Sequence, residues 1–208
     1  ARRLNPLYPD HTLNLARFYL PELPINTEAR TRLAALAGDY FEQAVRLSPN
    51  NAAYWNEWAR FDHEYRSDVP GALGKLAHSL QINPAYVDTY LQQGRVYAAQ
   101  NDWGAAAAAY ERAAALRPDR PEVYSALAFA EYQLHDLPGA AAAYARYIEL
   151  APKSSDRWEA HKNLALIYQQ LGDETQAIEQ ARLAAAAAPS DLQPQLADLI
   201  NRLQSTAP

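Results

Sequence analysis

Apolar residues recur three and four positions apart along most of this chain, and short polar turns interrupt them at regular intervals. That period belongs to amphipathic helices, and the interruptions cut the helices into pairs. One pair spans Val87–Arg120, with Tyr90 and Gly94 on its first helix and Ala106, Tyr110 and Leu116 on its second. The same types return 34 residues later at Tyr124, Ala128, Ala140, Tyr144 and Leu150. Prolines close the second helices at Pro49, Pro84, Pro118, Pro152 and Pro189, with Pro6 in the same role at the start. Proline cannot continue the hydrogen-bond ladder and restrains the residue before it, so each one marks a helix stop. Repetition at this period predicts stacked helical hairpins with one continuous core.

Small residues fall where two helices must approach closely: Gly94, Ala106 and Ala113 in one repeat, and Ala165, Ala177 and Ala184 in another. Asp102 and Asp173, at the ends of the turns Gln100–Asn101–Asp102 and Leu171–Gly172–Asp173, are expected N-caps. These columns resemble the tetratricopeptide repeat, with small residues at its eighth, twentieth and twenty-seventh places and a closing proline. The resemblance implies an all-α, right-handed superhelical solenoid of antiparallel helix pairs. On this reading, residues 1–6 are the tail of a preceding repeat and 7–50 a repeat with a long insertion. Regular repeats follow at 51–86, 87–120, 121–157 and 158–190, and 191–205 is a capping helix.

Two places depart from the pattern. Tyr147 stands in a small-residue column beside the inserted Ser155–Asp156–Arg157, so its ring is expected to open the helix pair. Ala181 replaces an aromatic, which predicts thinner packing near the C-terminus. Gly71 and Gly74 are assigned to an insertion-bearing turn, Ser67–Gly74. The segment Leu4–Asn5–Pro6–Leu7–Tyr8–Pro9–Asp10–His11, with Asn14–Tyr19, Leu47–Asn51 and Trp55–Trp58, resembles the opening of extracytoplasmic repeat domains in bacterial membrane proteins of the O-antigen ligase and polymerase kind. That resemblance implies an outward-facing domain and carries no catalytic residue. A glycan-handling accessory role follows from it alone.

Composition narrows the function. A net charge of −5 argues against binding a phosphate backbone, which needs clustered Lys and Arg. No apolar run approaches the ~20 residues of a membrane span. The chain has no Cys and no Met, which removes disulfides, thiolate metal sites and cysteine nucleophiles, and leans toward an oxidising, extracytoplasmic setting. The five histidines include no pair at helical spacing, and Asp62–His63–Glu64 point in three directions, so the expectation there is a solvated polar patch. No catalytic residue, cofactor or metal is expected.

Binding is the expectation instead. By resemblance, the first helix of each pair lines a concave groove, which implies Asn56, Arg60, His63 and Glu64, then Asp88, Leu91 and Arg95. Further along it implies Glu122, Ser125, Phe129 and Tyr132, then Glu159, Lys162, Leu166 and Gln169. This mixture suits a peptide or loop of a partner protein, although an ordinary solvated face would read the same way. The runs Ala105–Ala109, Ala140–Ala143 and Ala184–Ala188 are expected to leave a smooth, weakly charged convex side. Self-association is the alternative. The stripe Leu192, Leu196, Leu199, Ile200 and Leu203 could cap a neighbouring copy's open N-terminal end, aided by Leu4 and Leu7 and by Leu20, Leu23 and Ile25 on the Pro-rich loop. Such head-to-tail contacts are heterologous and give filaments if the rotation does not close.

Overall fold

A computed structural model describes residues 9–19 and 27–206 of the chain, and the described residues form eleven α-helices and no strand. Leu4, Leu7, Leu20, Leu23 and Ile25 lie outside the described residues. The helices are α1 Pro9–Tyr19, α2 Thr27–Leu47, α3 Ala52–Phe61, α4 Val69–Ile82, α5 Val87–Ala99 and α6 Trp103–Leu116. They continue as α7 Pro121–Gln133, α8 Leu137–Leu150, α9 Arg157–Leu171, α10 Glu174–Ala187 and α11 Gln193–Thr206. The chain divides into two compact units, Ala1–Val96 and Tyr97–Pro208.

One local device recurs at the turn inside four pairs. Ser67, Asn101, His135 and Gly172 adopt left-handed backbone with φ of 54°, 59°, 61° and 78°. Each is followed by an aspartate, and Asp68, Asp102, Asp136 and Asp173 accept the backbone N–H of Gly71, Ala105, Gly139 and Gln176 at 3.0–3.1 Å. Each carboxylate thus satisfies one of the orphan donors at a helix start, an interaction that stabilises by about 1 kcal/mol. Asp102 and Asp173 were expected here; Asp68 and Asp136 belong to the same 34-residue column. Gly71 and Gly74 lie inside α4 and not in the turn, which is closed by Ser67 and Asp68 instead.

In the first unit, α1 packs on α2 and α3 on α4. Leu13, Ala16, Ala37, Phe41, Ala44 and Phe61 form one apolar cluster, and Ala59, Ala72, Leu76 and Val96 form a second. A buried polar thread crosses this unit. Ser79 Oγ donates to the Ala52 carbonyl at 2.8 Å, Asn56 Nδ2 donates to Thr89 Oγ1 at 3.2 Å, and the Ser79 and Thr89 hydroxyls pair at 2.8 Å. These bonds tie α3, α4 and α5 together with each buried group supplied a partner.

In the second unit, α6 packs on α7, α7 on α8, α8 on α9, α9 on α10 and α10 on α11. Two of the three alanine runs are mostly core, while Ala184–Ala188 keeps Ala186 and Ala187 exposed. Ala106, Ala107 and Ala109 on α6 and Ala140, Ala141 and Ala143 on α8 are buried, which leaves Ala108 and Ala142 exposed. The smooth convex side expected of them is therefore much narrower than five consecutive alanines suggest, because a helix turns most of such a run inward. Packing near the C-terminus is not thin. Ala181 is fully buried, and Leu196, Leu199 and Leu203 of α11 fill the space beside it with Ala177 and Ala184.

Tyr147 is buried, and its hydroxyl donates to Asp156 Oδ1 at 2.7 Å with Ser154 Oγ 3.3 Å away. The inserted turn therefore binds the ring directly. Hydrogen bonds from Ser154 and Tyr147 hold the Asp156 carboxyl below the usual carboxylate range.

Candidate functional site

Three of the expected groove residues meet in one place. Phe129 and Tyr132 on α7, Tyr144 on α8, and Asn163, Leu166 and Ile167 on α9 line a slot of about 110 Å³. Its walls follow from helical spacing, since residues three and four apart share a face. Phe129 is 48% exposed and meets Trp103 edge-on, with ring centroids 5.5 Å apart. The edge contact fixes the ring without covering its outer face. At the floor, Tyr144 is buried, and its phenol accepts from Asn163 Nδ2 at 3.1 Å; burial pushes that phenol above its ordinary pKa. The Tyr132 phenol accepts from Gln170 Nε2 at 2.9 Å. Each phenol therefore keeps its own proton available to donate into or beside the slot. A volume of about 110 Å³ is well under the ~300–1,000 Å³ of small-molecule pockets and suits a single branched side chain.

Lys162, on the same helix as Leu166, lies with Nζ 5.3 Å over the Trp158 ring. In the first unit the expected residues do not gather. Asn56 is buried and spent on Thr89, and Leu91 is buried, so neither is an accessible groove residue; helical phase turns both into the core. Arg60 and His63 are half-buried, and Arg95 is exposed. His63 Nδ1 is buried with no hydrogen-bond partner.

The polar patch at Asp62–Glu64 is not a solvated one. α3 ends in a single π turn, Asp62–Arg66, that rotates Asp62 into the interior, where it has no exposure. Its Oδ2 lies 2.5 Å from Lys75 Nζ on α4 in a close charge contact whose angles are not those of a hydrogen bond, and Oδ1 lies 3.4 Å from Arg66 Nη1. Sequence reasoning missed this pair. Its signal was available as an acid in a column that holds Tyr97, Glu131 and Tyr168 elsewhere, opposite a lysine in a column that holds Ala109, Ala143 and Gln180.

A larger hollow of about 460 Å³ lies on the first unit beside Trp55, Trp58, Gly74 and Lys75. Trp58 is held between the Lys75 ammonium, 4.4 Å from its ring centroid, and Trp55, which stacks on it at 5.8 Å and meets His78 edge-on at 4.2 Å. The ring faces are thus engaged within the chain. The Leu192, Leu196, Leu199, Ile200 and Leu203 stripe packs against α10 of its own chain. Among the described residues no group of three or more His, Cys, Asp or Glu is placed to hold a metal ion, and no helix is long and apolar enough to cross a membrane.

Residues 93–165 and 159–191 match two tetratricopeptide repeat family models. A comparison with curated proteins gave no match. Among solved structures, the type IV pilus biogenesis factor PilW is similar with a TM-score of 0.71 and 21% identity, over 92% of this chain and 84% of that one. YrrB, described as a repeat protein with an unusual peptide-binding site, is similar with a TM-score of 0.67 and 16% identity, over 93% of each chain. MamA from Desulfovibrio magneticus RS-1 has a TM-score of 0.69 and 16% identity, over 86% of this chain and 94% of that one. At these identities the likeness concerns the fold. Residues 93–191 of this chain are tetratricopeptide repeats, and the chain has the all-helical fold of proteins built from them.

Proposed function

We propose that this chain is a non-enzymatic interaction module that seats an extended peptide or loop of a partner protein on the α7–α8–α9 slot. The observation that carries the reading is the slot itself. Phe129, Leu166 and Ile167 supply apolar walls for one side chain, while the Tyr132 and Tyr144 hydroxyls supply donors for main-chain carbonyls. Aromatic residues that are fixed in place yet exposed are the usual anchors of such interfaces. The peptide-binding site named for YrrB supports the class of ligand. The N-terminal resemblance supports an outward-facing position in a bacterium.

The test is selection of peptides from a random displayed library on the purified chain, repeated on Phe129→Ala and Leu166→Ala variants. Selected peptides should share one Leu- or Ile-sized residue in an extended setting, and each variant should weaken their binding at least about tenfold, the cost of losing a well-packed anchor. Peptides that bind both variants as tightly as the parent would place the interaction elsewhere. Head-to-tail self-assembly is the alternative, and a molar mass that climbs with concentration in light scattering would favour it.

A further inference from the structure

Glu131 sits in the last turn of α7, in the same column as Asp62, but among the described residues no ion pair is formed with it. Its Oε2 is buried without a hydrogen-bond partner. The start of α8 explains the neighbourhood. A Cβ placed on Gly139 would lie 2.5 Å from Asp136 Oδ2 and 3.1 Å from Glu131 Cδ, which puts the two carboxyl groups within about 6 Å of each other. Asp136 is already committed as the N-cap of α8, with Oδ1 accepting the Gly139 N–H at 3.0 Å. Glycine at 139 is what leaves room for both acids.

The charges around Glu131 are unfavourable to a second anion. From α6 the group meets Glu111, and from the α7–α8 turn it meets Asp136. Arg112, beside Glu111, and His135, beside Asp136, are both exposed, and Arg146 of α8 is taken by Glu149 and by the Pro118 carbonyl.

We propose that Glu131, crowded against the capping carboxylate of Asp136, secures the α7–α8 turn while it keeps its proton and loosens the turn once that proton leaves for solvent. The electrostatics agree with the geometry: burial first, then Asp136 and Glu111, push the Glu131 carboxyl up to about 7. At acidic pH the neutral acid sits beside a single carboxylate. Above neutrality two like charges face each other across the first turn of α8, and the cap that holds that turn is one of them. The device makes this repeat sensitive to pH near neutrality whatever its partner is, so it stands apart from the peptide-binding reading.

Hydrogen exchange at the Gly139 amide, the donor to the cap, reads the joint directly, with side-chain carboxyl titration by NMR beside it. In the parent chain the Gly139 protection factor should fall at least about threefold between pH 5.5 and 8, and the Glu131 carboxyl should titrate far above an ordinary glutamate. Glu131→Gln should remove the fall. Asp136→Asn, which keeps a capping oxygen, should also remove it and bring Glu131 down toward the ordinary range. An ordinary titration of Glu131, or an equal fall in the Gln variant, would overturn the proposal.

Discussion

Replacing Lys75 by Met should cost about 3 kcal/mol, and replacing Asp62 by Leu in the same chain should recover most of it. The magnitude follows from burial. Asp62 has no exposure, and the Lys75 side chain is only 17% exposed, so their contact at 2.5 Å is shielded from water. Removing the ammonium leaves a buried carboxylate, and breaking such a pair costs about 3–5 kcal/mol. The remaining partner, Arg66, is 3.4 Å away with nearly half of its side chain in water, which offsets part of the loss and places the estimate at the low end. Methionine preserves the apolar stem, and the lost ammonium–indole contact over Trp58 adds about 0.5–1 kcal/mol at most. With Asp62→Leu added, no unpaired charge remains, and the double variant should return to within about 1.5 kcal/mol of the parent. Urea unfolding followed by circular dichroism and tryptophan fluorescence gives the four stabilities of the cycle. A Lys75→Met cost below about 1 kcal/mol, or single costs that simply add in the double variant, would refute the buried-pair argument.

Two glycines should respond in opposite directions to the same change. Gly74→Ala should stabilise by about 1 kcal/mol, because an added methyl meets nothing within 4 Å and alanine favours the helix interior. Gly172→Ala should destabilise by about 1 kcal/mol, because φ at 172 is 78°; thermal melts of both variants check the pair. Tyr147→Phe removes the donor to Asp156 and should cost about 1–2 kcal/mol in urea unfolding, with a change near the parent value showing that the inserted turn is held by other contacts. Phe129→Ala should cost less than about 1.5 kcal/mol of stability, since the ring is half exposed, so a larger loss in melts would show that it is a packing residue and not a presented one.

Much of the fold was legible because the repeat prints its small residues and prolines at fixed spacing. Ala106, Ala113, Ala165, Ala177 and Ala184 are buried where two helices approach, and α4, α6 and α8 stop shortly before Pro84, Pro118 and Pro152. The slot was legible in part. Phe129, Tyr132 and Leu166 could be placed on first helices by period alone, but the period does not bring Tyr144 of α8 and Asn163 of α9 to the same slot. A single sequence gives the face of a helix and not what stands opposite it. The same limit hid the pairing of Asp62 with Lys75 and the crowding of Glu131 by Asp136 and Glu111, since each partner comes from a different element. It also misled at Asn56 and Leu91, where a shift of one helical position separates a groove residue from a core residue.

The turns inside the pairs show why glycine was a poor guide to them. Four turns place a residue in left-handed backbone, yet only Gly172 is a glycine; Ser67, Asn101 and His135 accept the conformation at some cost. What the four share is the aspartate that follows, bonded to the N–H three residues on. The cap closes the turn, and the residue before it is carried into an unusual region because the cap demands it. Reading glycine as the turn signal put the chain reversal at Gly71 and Gly74, inside a helix. The aspartate column, spaced like the prolines, identifies all four turns with the physical reason attached, and it places Asp136 where it caps α8 and faces Glu131 at once.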